Sequence, residues 1–404
     1  MIGPPTFDFR PKTPYNAAVI AGPSAPIKTP EKLPSREAQI PMKPSFKLLG
    51  FDHVTFAVGN AKQAAHYYQT VFGFDLAGYR GLEQGDRQTA SYVLKQNHVQ
   101  FVLNTPYRGE SPLNESLKKH GDGVTDIAFH VDDAVKAWEH TTKHGAKSAF
   151  EPRTMEDDGG KVVVSGIHTY GDVTHTFVER HHYKGVFLPG YAPAKSRIKA
   201  ESTGLLFIDH IVGNQPDSEM ENVVRFYENI FGFQRLWTVD DKDISTEHTA
   251  LRSVVVADEN ETIKMPINEP AHGLKKSQIQ EYVDFNSGAG VQHIAMSTND
   301  IVFTIKKLVE NGAEFLYVPK TYYDDLSQRV GVIEEDVKVL EKMGILVDRD
   351  DSGYLLQLFT KPVQDRPTLF FELIQRKNAR SFGKGNFKAL FESIEREQAR
   401  RGTL

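Results

Sequence analysis

Three residues far apart in the chain, His210, His293 and Glu372, each stand in a short apolar run with strand character. The runs read Phe207-Ile208-Asp209-His210-Ile211-Val212, Gly290-Val291-Gln292-His293-Ile294-Ala295-Met296 and Thr368-Leu369-Phe370-Phe371-Glu372-Leu373-Ile374. Two imidazoles and one carboxylate can hold one Fe(II) on a single face, leaving open positions for substrate and oxygen. A single His or Glu on a strand is ordinarily a hydrogen-bonded or solvated side chain, and short matches arise by chance. The argument for a joint site is internal repetition.

The first copy opens at Phe51-Asp52-His53-Val54-Thr55-Phe56-Ala57-Val58 and continues into a helical pattern with Ala64, Tyr67, Tyr68, Val71 and Phe72, then Gly73. The second opens at Ile208-Asp209-His210-Ile211-Val212 and continues with Val223, Phe226, Tyr227, Ile230 and Phe231, then Gly232. Spacing of i, i+3, i+4, i+7 lays one apolar stripe against a sheet. A glycine at the end suits a left-handed cap. Further on, Gly123 to Asp133 answers Gly290 to Asp300, and Thr176-Phe177-Val178-Glu179-Arg180 answers Leu369-Phe370-Phe371-Glu372-Leu373.

Superposing the copies pairs His53 with His210, Asp126 with His293, and Glu179 with Glu372. A carboxylate in place of one imidazole makes a harder, more anionic set, favouring Mn or Mg over Fe(II). The first copy is therefore read as a degenerate half that acts as scaffold; a metal in both halves is the weaker alternative. His181-His182 reads as a solvated strand end, and His130 as a packed or hydrogen-bonded side chain. The acidic runs at Asp240-Asp241-Lys242-Asp243 and Glu334-Glu335-Asp336 lack calcium-loop spacing.

With 404 residues, 39% of them hydrophobic, the chain can form two cores. A formal net charge of -5 gives no electrostatic reason to expect nucleic acid or an acidic membrane as partner. The absence of cysteine excludes disulfides, thiolate ligands and thiol nucleophiles, so an iron site here must be nitrogen- and oxygen-ligated. No apolar run reaches membrane-span length, and the N-terminus lacks a secretory pattern, so cytoplasm is the default expectation.

Residues 1–45 are read as a proline-rich arm, because ten of the 21 prolines, Pro4 to Pro44, fall there and block helix and sheet alike. The expected order is then a first domain over 46–185, a Gly/Pro/Ala/Ser linker over 186–203, a catalytic domain over 204–380, and a closing segment over 381–404. In that last segment Ser381-Phe382-Gly383-Lys384-Gly385-Asn386 precedes a helix with Leu390, Phe391 and Ile394 on one face. Asn386 is placed to cap it, and Gly383 and Gly385 suggest a hinge for a lid, with a permanently docked helix as the alternative.

Longer matches carry a family resemblance. Met265-Pro266-Ile267-Asn268-Glu269-Pro270, Gly288-Ala289-Gly290-Val291-Gln292-His293, Gln357-Leu358-Phe359-Thr360-Lys361-Pro362, Asp365-Arg366-Pro367-Thr368 and Phe382-Gly383-Lys384-Gly385-Asn386-Phe387 resemble the 4-hydroxyphenylpyruvate dioxygenase family. That family belongs to the vicinal oxygen chelate superfamily. The resemblance implies an α+β fold: two tandem domains of paired βαβββ modules, each an open half-barrel sheet with flanking helices. It implies one Fe(II) per chain on His210, His293 and Glu372. Polar contacts to substrate would come from Ser253, Asn268, Gln278, Gln292 and Gln357, with Pro266, Phe359, Phe370, Phe382, Asn386 and Phe387 around them. The loop 271–277 looks one residue short for some members, which bears on Gln278.

The implied reaction takes 4-hydroxyphenylpyruvate and O2 to homogentisate and CO2, in tyrosine and phenylalanine catabolism, and the resemblance suggests a homodimer. Three rival functions remain: a 4-hydroxymandelate synthase, with the bulk of Phe359 as discriminator; an extradiol ring-cleaving dioxygenase; and a non-catalytic ligand-binding module. Amides and phenylalanines suit a strong oxidant, because they exclude water and offer no easily oxidised thiol.

Overall fold

A computed structural model describes residues 43–196, 198, 201–239, 250–271 and 273–404. The proline arm up to residue 42 and the acidic run at 240–243 lie outside the described residues. The first half contributes β1 (Leu48–Ala57), β2 (Asp75–Arg80), β3 (Thr89–Gln96), β4 (Val99–Pro106), β5 (Gly123–Val131), β6 (Ser148–Asp157), β7 (Gly160–His168) and β8 (Thr174–Glu179). A two-residue β9 (Ala192–Pro193) follows. The second half contributes β10 (Leu205–Asn214), β11 (Gln234–Val239), β12 (Ala250–Ala257), β13 (Lys264–Ala271), β14 (Gly290–Thr298), β15 (Leu346–Arg349), β16 (Tyr354–Phe359) and β17 (Phe370–Lys377). The helices are α1 (Ala61–Phe72), α2 (Pro112–His120), α3 (Ala134–Lys143), α4 (Met220–Phe231), α5 (Gln278–Asn286), α6 (Ile301–Glu310), α7 (Leu326–Val330), α8 (Val337–Met343) and α9 (Phe387–Arg401).

The two sheets share one strand order. The first runs β2-β3-β4-β1-β5-β8-β7-β6, with β9 outside β2; the second runs β11-β12-β13-β10-β14-β17-β16-β15. In each, two βαβββ modules meet along an antiparallel central pair, β1 with β5 and β10 with β14. Each sheet curls as an open half-barrel, as the resemblance implied.

Local sequence explains the crossover helices. Asn60 accepts the Gln63 N–H at the start of α1, and Gly73 ends it at φ 71; Gly232 ends α4 at φ 66. Each helix serves the opposite half. Tyr68 and Phe72 of α1 reach Phe371 of β17, the latter with ring centroids 5.0 Å apart, while Tyr227 of α4 donates to His175 of β8 at 2.8 Å. Phe72, Tyr227 and Phe371 are fully buried, each worth about 1.5–3 kcal/mol in removed apolar surface. Phe371 thereby anchors the back of the strand whose front carries Glu372.

The stretch 186–203 does more than join the halves. Phe187 is buried against Val93 and Val102, and β9 extends the first sheet by pairing with β2. Phe187, with Val186, Leu188 and Tyr191 beside it, covers the apolar patch that Val93 and Val102 leave on the first sheet.

Candidate metal centre and substrate pocket

Strand order places the three candidate ligands on neighbouring strands β10, β14 and β17. His210 stands opposite Ala295, and Ala295 opposite Glu372, so all three share a row; His293 lies two residues along β14 on the same face. Ala295 presents only a methyl between the two donors. His210 Nε2 and His293 Nε2 each lie 3.2 Å from the same oxygen, Glu372 Oε2, and all three residues are buried. Their donor atoms fall within 4.8 Å of one another.

Both imidazoles are turned so that Nε2 faces the common point. His210 Nδ1 is engaged by Asp209 at 2.8 Å, and His293 Nδ1 by the Gln292 side-chain oxygen at 3.0 Å. That leaves an Nε2 lone pair on each ring available to a cation, the tautomer that metal-ligating histidines adopt. Asp209 reaches its own neighbour's ring because the pairing register slips between Ile208 and His210, a bulge that re-aims one side chain. Arg376 then grips Asp209 with two bonds, 2.8 and 2.9 Å.

The electrostatics suit a cation. Burial works against a charged Glu372, but His210 and His293 outweigh it and hold the carboxyl down to about 2. Burial alone would push His210 down, yet Glu372 and Asp209 carry it above the usual range; His293, backed only by an amide, is held down by burial. Buried carboxylate and imidazole donors with their outer atoms engaged therefore fit a divalent metal.

The first half repeats the support but changes the donors. His53 Nδ1 meets Asp52 at 2.6 Å, Arg180 meets Asp52 at 2.6 Å, and the register slips at the same place, between Phe51 and His53. Asp126 stands where His293 does, and its Oδ1 accepts from Thr174 at 2.6 Å and Thr176 at 2.8 Å. The pairing of Glu179 with Glu372 is corrected by register. Asp126 aligns with Thr174, as His293 aligns with Phe370, so Thr176 takes the place of Glu372. Glu179 matches Gln375 instead: each accepts the first N–H of its module helix, Ala134 at 3.0 Å and Ile301 at 2.9 Å. The similar strings Phe-Val-Glu and Phe-Phe-Glu hid a three-residue offset.

Beside the three donors lies a cavity lined by Ser253, Pro266, Asn268, Gln278, Gln292, Gln357, Phe359, Phe382 and Phe387, all expected from the sequence. Two expected residues are off its wall. Phe370 stacks flat on His293 at 4.8 Å, bracing that ring from a neighbouring void. Asn386 sits behind Gln357: its amide donates to the Gln357 oxygen at 3.2 Å, and its own oxygen accepts from Tyr322 at 2.6 Å. Asn386 does stand at the position just before α9, but its side chain makes no cap bond, being committed to Gln357.

Sequence reading missed Val212, Trp237, Leu251, Val255, Leu390 and Phe391 on the wall. Leu251, Ser253 and Val255 alternate on β12, so the position of Ser253 implied the other two. Trp237 carried no such signal; it stacks on Phe387 at 5.5 Å across the pocket mouth. Helix α9 covers the site with Phe387, Leu390 and Phe391.

Comparison with known proteins follows the same lines. Residues 52–164 and 207–358 each match a family model described as Glyoxalase/Bleomycin resistance protein/Dioxygenase superfamily, so the chain is a tandem member of that class. The chain is 52% identical to a 4-hydroxyphenylpyruvate dioxygenase of Dictyostelium discoideum, over 88% of this chain and 100% of that protein. It is 51% identical to one of Xenopus tropicalis, over 89% and 93%. The chain belongs to the 4-hydroxyphenylpyruvate dioxygenase family. Among solved structures, a mutant of 4-hydroxymandelate synthase from Streptomyces coelicolor superposes with TM-score 0.78 at 28% identity, covering 88% of this chain and all of that one. A xylose isomerase-like TIM barrel/4-hydroxyphenylpyruvate dioxygenase fusion protein shares the fold at TM-score 0.69 and 22% identity, over 87% of this chain and 53% of that one. Family membership implies a metal, and His210, His293 and Glu372 are the donors that fit it.

Proposed function

We propose that the chain converts 4-hydroxyphenylpyruvate and O2 to homogentisate and CO2, with one Fe(II) held by His210, His293 and Glu372. The supporting observation is their convergence, two Nε2 atoms 3.2 Å from one carboxylate oxygen, at the end of an aromatic cavity. Iron bound there would supply the electrons that activate dioxygen and a Lewis-acid contact for a 2-oxo acid.

The remaining work belongs to the chain. Phe359, Phe382 and Phe387 enclose the ring of the substrate and exclude water, and Pro266 adds a rigid apolar contact. Ser253 and Asn268, opposite one another on β12 and β13, offer a hydroxyl and an amide side by side. Gln278, Gln292 and Gln357 orient the polar ends of the substrate without competing for the metal. Phe387, Leu390 and Phe391 of α9 line the cavity, so an outward swing of α9 would admit the substrate and its return would close the site. The enzyme would work as a homodimer in the cytoplasm, free of nucleic acid and membrane; among the described residues no helix is long and apolar enough to cross a membrane.

The test is product analysis of iron-loaded protein given 4-hydroxyphenylpyruvate, ascorbate and O2. Homogentisate is the expected product. 4-Hydroxymandelate would overturn the proposal in favour of the function named for the S. coelicolor neighbour, and no consumption of the oxo acid would overturn it altogether.

A further inference from the structure

Helix α5 carries Gln278 at its first residue, facing the cavity, and ends about 13 Å away at Asn286. That far end is held by the first half of the chain. His120, the last residue of α2, is buried; its Nδ1 donates to the Asn286 carbonyl at 2.5 Å, and its Nε2 lies 2.8 Å from Asp172. Arg366, from the loop between β16 and β17, lays one guanidinium across two helix ends. It donates to the carbonyls of Lys118 and Lys119 on α2 and to that of Phe285 on α5. Cationic donors at helix C-termini satisfy carbonyls the helices cannot pair and match the negative ends of their dipoles.

The chain makes room for this contact. Gly121 closes α2 at φ +75, and a Cβ there would come within 3.0 Å of the Arg366 side chain. The loop that supplies Arg366 runs straight into β17, the strand of Glu372. One side chain thus ties together the end of a first-half helix, the end of the helix bearing Gln278, and the approach to a metal ligand.

We propose that Arg366 and His120 are positioning residues through which the first half sets the seat of α5, and so the place of Gln278 against the substrate. A helix held at its far end transmits a small tilt to its near end, and sub-ångström errors in substrate placement are costly. The role rests on the function proposed above and explains how a half without the His-His-Glu set serves the reaction.

The experiment is a double-mutant cycle on the full, iron-loaded protein, with Arg366→Met, which keeps the apolar stem, crossed against Gln278→Ala. Arg366→Met is expected to raise KM for 4-hydroxyphenylpyruvate about five- to tenfold, with a smaller change in kcat and unaltered iron content. In the Gln278→Ala background the same change should have almost no further effect on KM, because the two act through one contact. Arg366→Lys, charged but unable to span three carbonyls, should restore part of the loss, and His120→Gln should give the same non-additive pattern. Fully multiplicative effects, or iron loss in proportion to activity, would overturn the proposal. A wild-type protein that makes no homogentisate would instead overturn the underlying function, so the two failures are separable.

Discussion

At the scale of single residues, the site is a graded set of donors. His293 and His210 differ in what stands behind them: a neutral amide for the first, and for the second a carboxylate gripped by Arg376. The partner behind a metal-bound imidazole tunes affinity about 10–100-fold, which orders two substitutions. His293→Ala should abolish stoichiometric metal and bring turnover below about 1% of wild type, while the circular dichroism spectrum stays unchanged. Asp209→Asn should keep the metal but weaken it about 10–100-fold, read by competition with a chelator. Equal affinity in Asp209→Asn and wild type would show that the buried carboxylate serves the fold alone. That outcome is a real alternative, since Asp52 and Arg180 repeat the same arrangement without the full donor set.

At the scale of elements, the segment before α9 is committed at both ends of a short turn. Gly383 sits at φ +77, and a Cβ there would collide with Gln357 Oε1. Only glycine meets both demands, the left-handed backbone and the close approach. Gly383→Ala is expected to cost about 1–2 kcal/mol of stability and, by displacing the Gln357 amide, to raise KM more than it lowers kcat. Thermal melts and steady-state kinetics check both, and a variant with wild-type KM would detach Gln357 from substrate binding. The sequence made the glycine turn before α9 and the helix's apolar stripe legible, because both are local. It concealed the work of Asn386, because the Tyr322 and Gln357 partners are 64 and 29 residues away.

At the scale of the whole molecule, the two halves are locked by reciprocal helices, and one lock titrates. His175 lies fully buried between the Ile127 carbonyl, which takes its Nδ1 proton, and the Tyr227 hydroxyl, which donates to Nε2. Burial pushes this imidazole down to about 4. The unfolded chain, with a histidine near 6.5, binds the extra proton first, so stability is undiminished above pH 6.5 and falls as pH drops from there toward 4. The loss approaches about 3 kcal/mol at pH 4 and does not grow below it. Unfolding midpoints of wild type and His175→Gln, measured across that window, should converge at low pH; parallel curves would assign the acid sensitivity to other groups.

The sequence alone determined what local pattern can encode. The paired motifs around His53 and His210 announced two copies of one domain, Gly73 and Gly232 marked where a helix of each stops, and three polar residues in apolar strands marked the candidate donor set. Tertiary structure decided everything that depends on register and on partners distant along the chain. It moved the counterpart of Glu372 to Thr176, turned Phe370 into a brace for His293, made Phe187 a cover for the first sheet, and joined Arg366 to the ends of two helices. The physical reason is that periodicity and caps follow from neighbours within a few residues, whereas strand register and helix-end contacts are settled by packing over the whole fold.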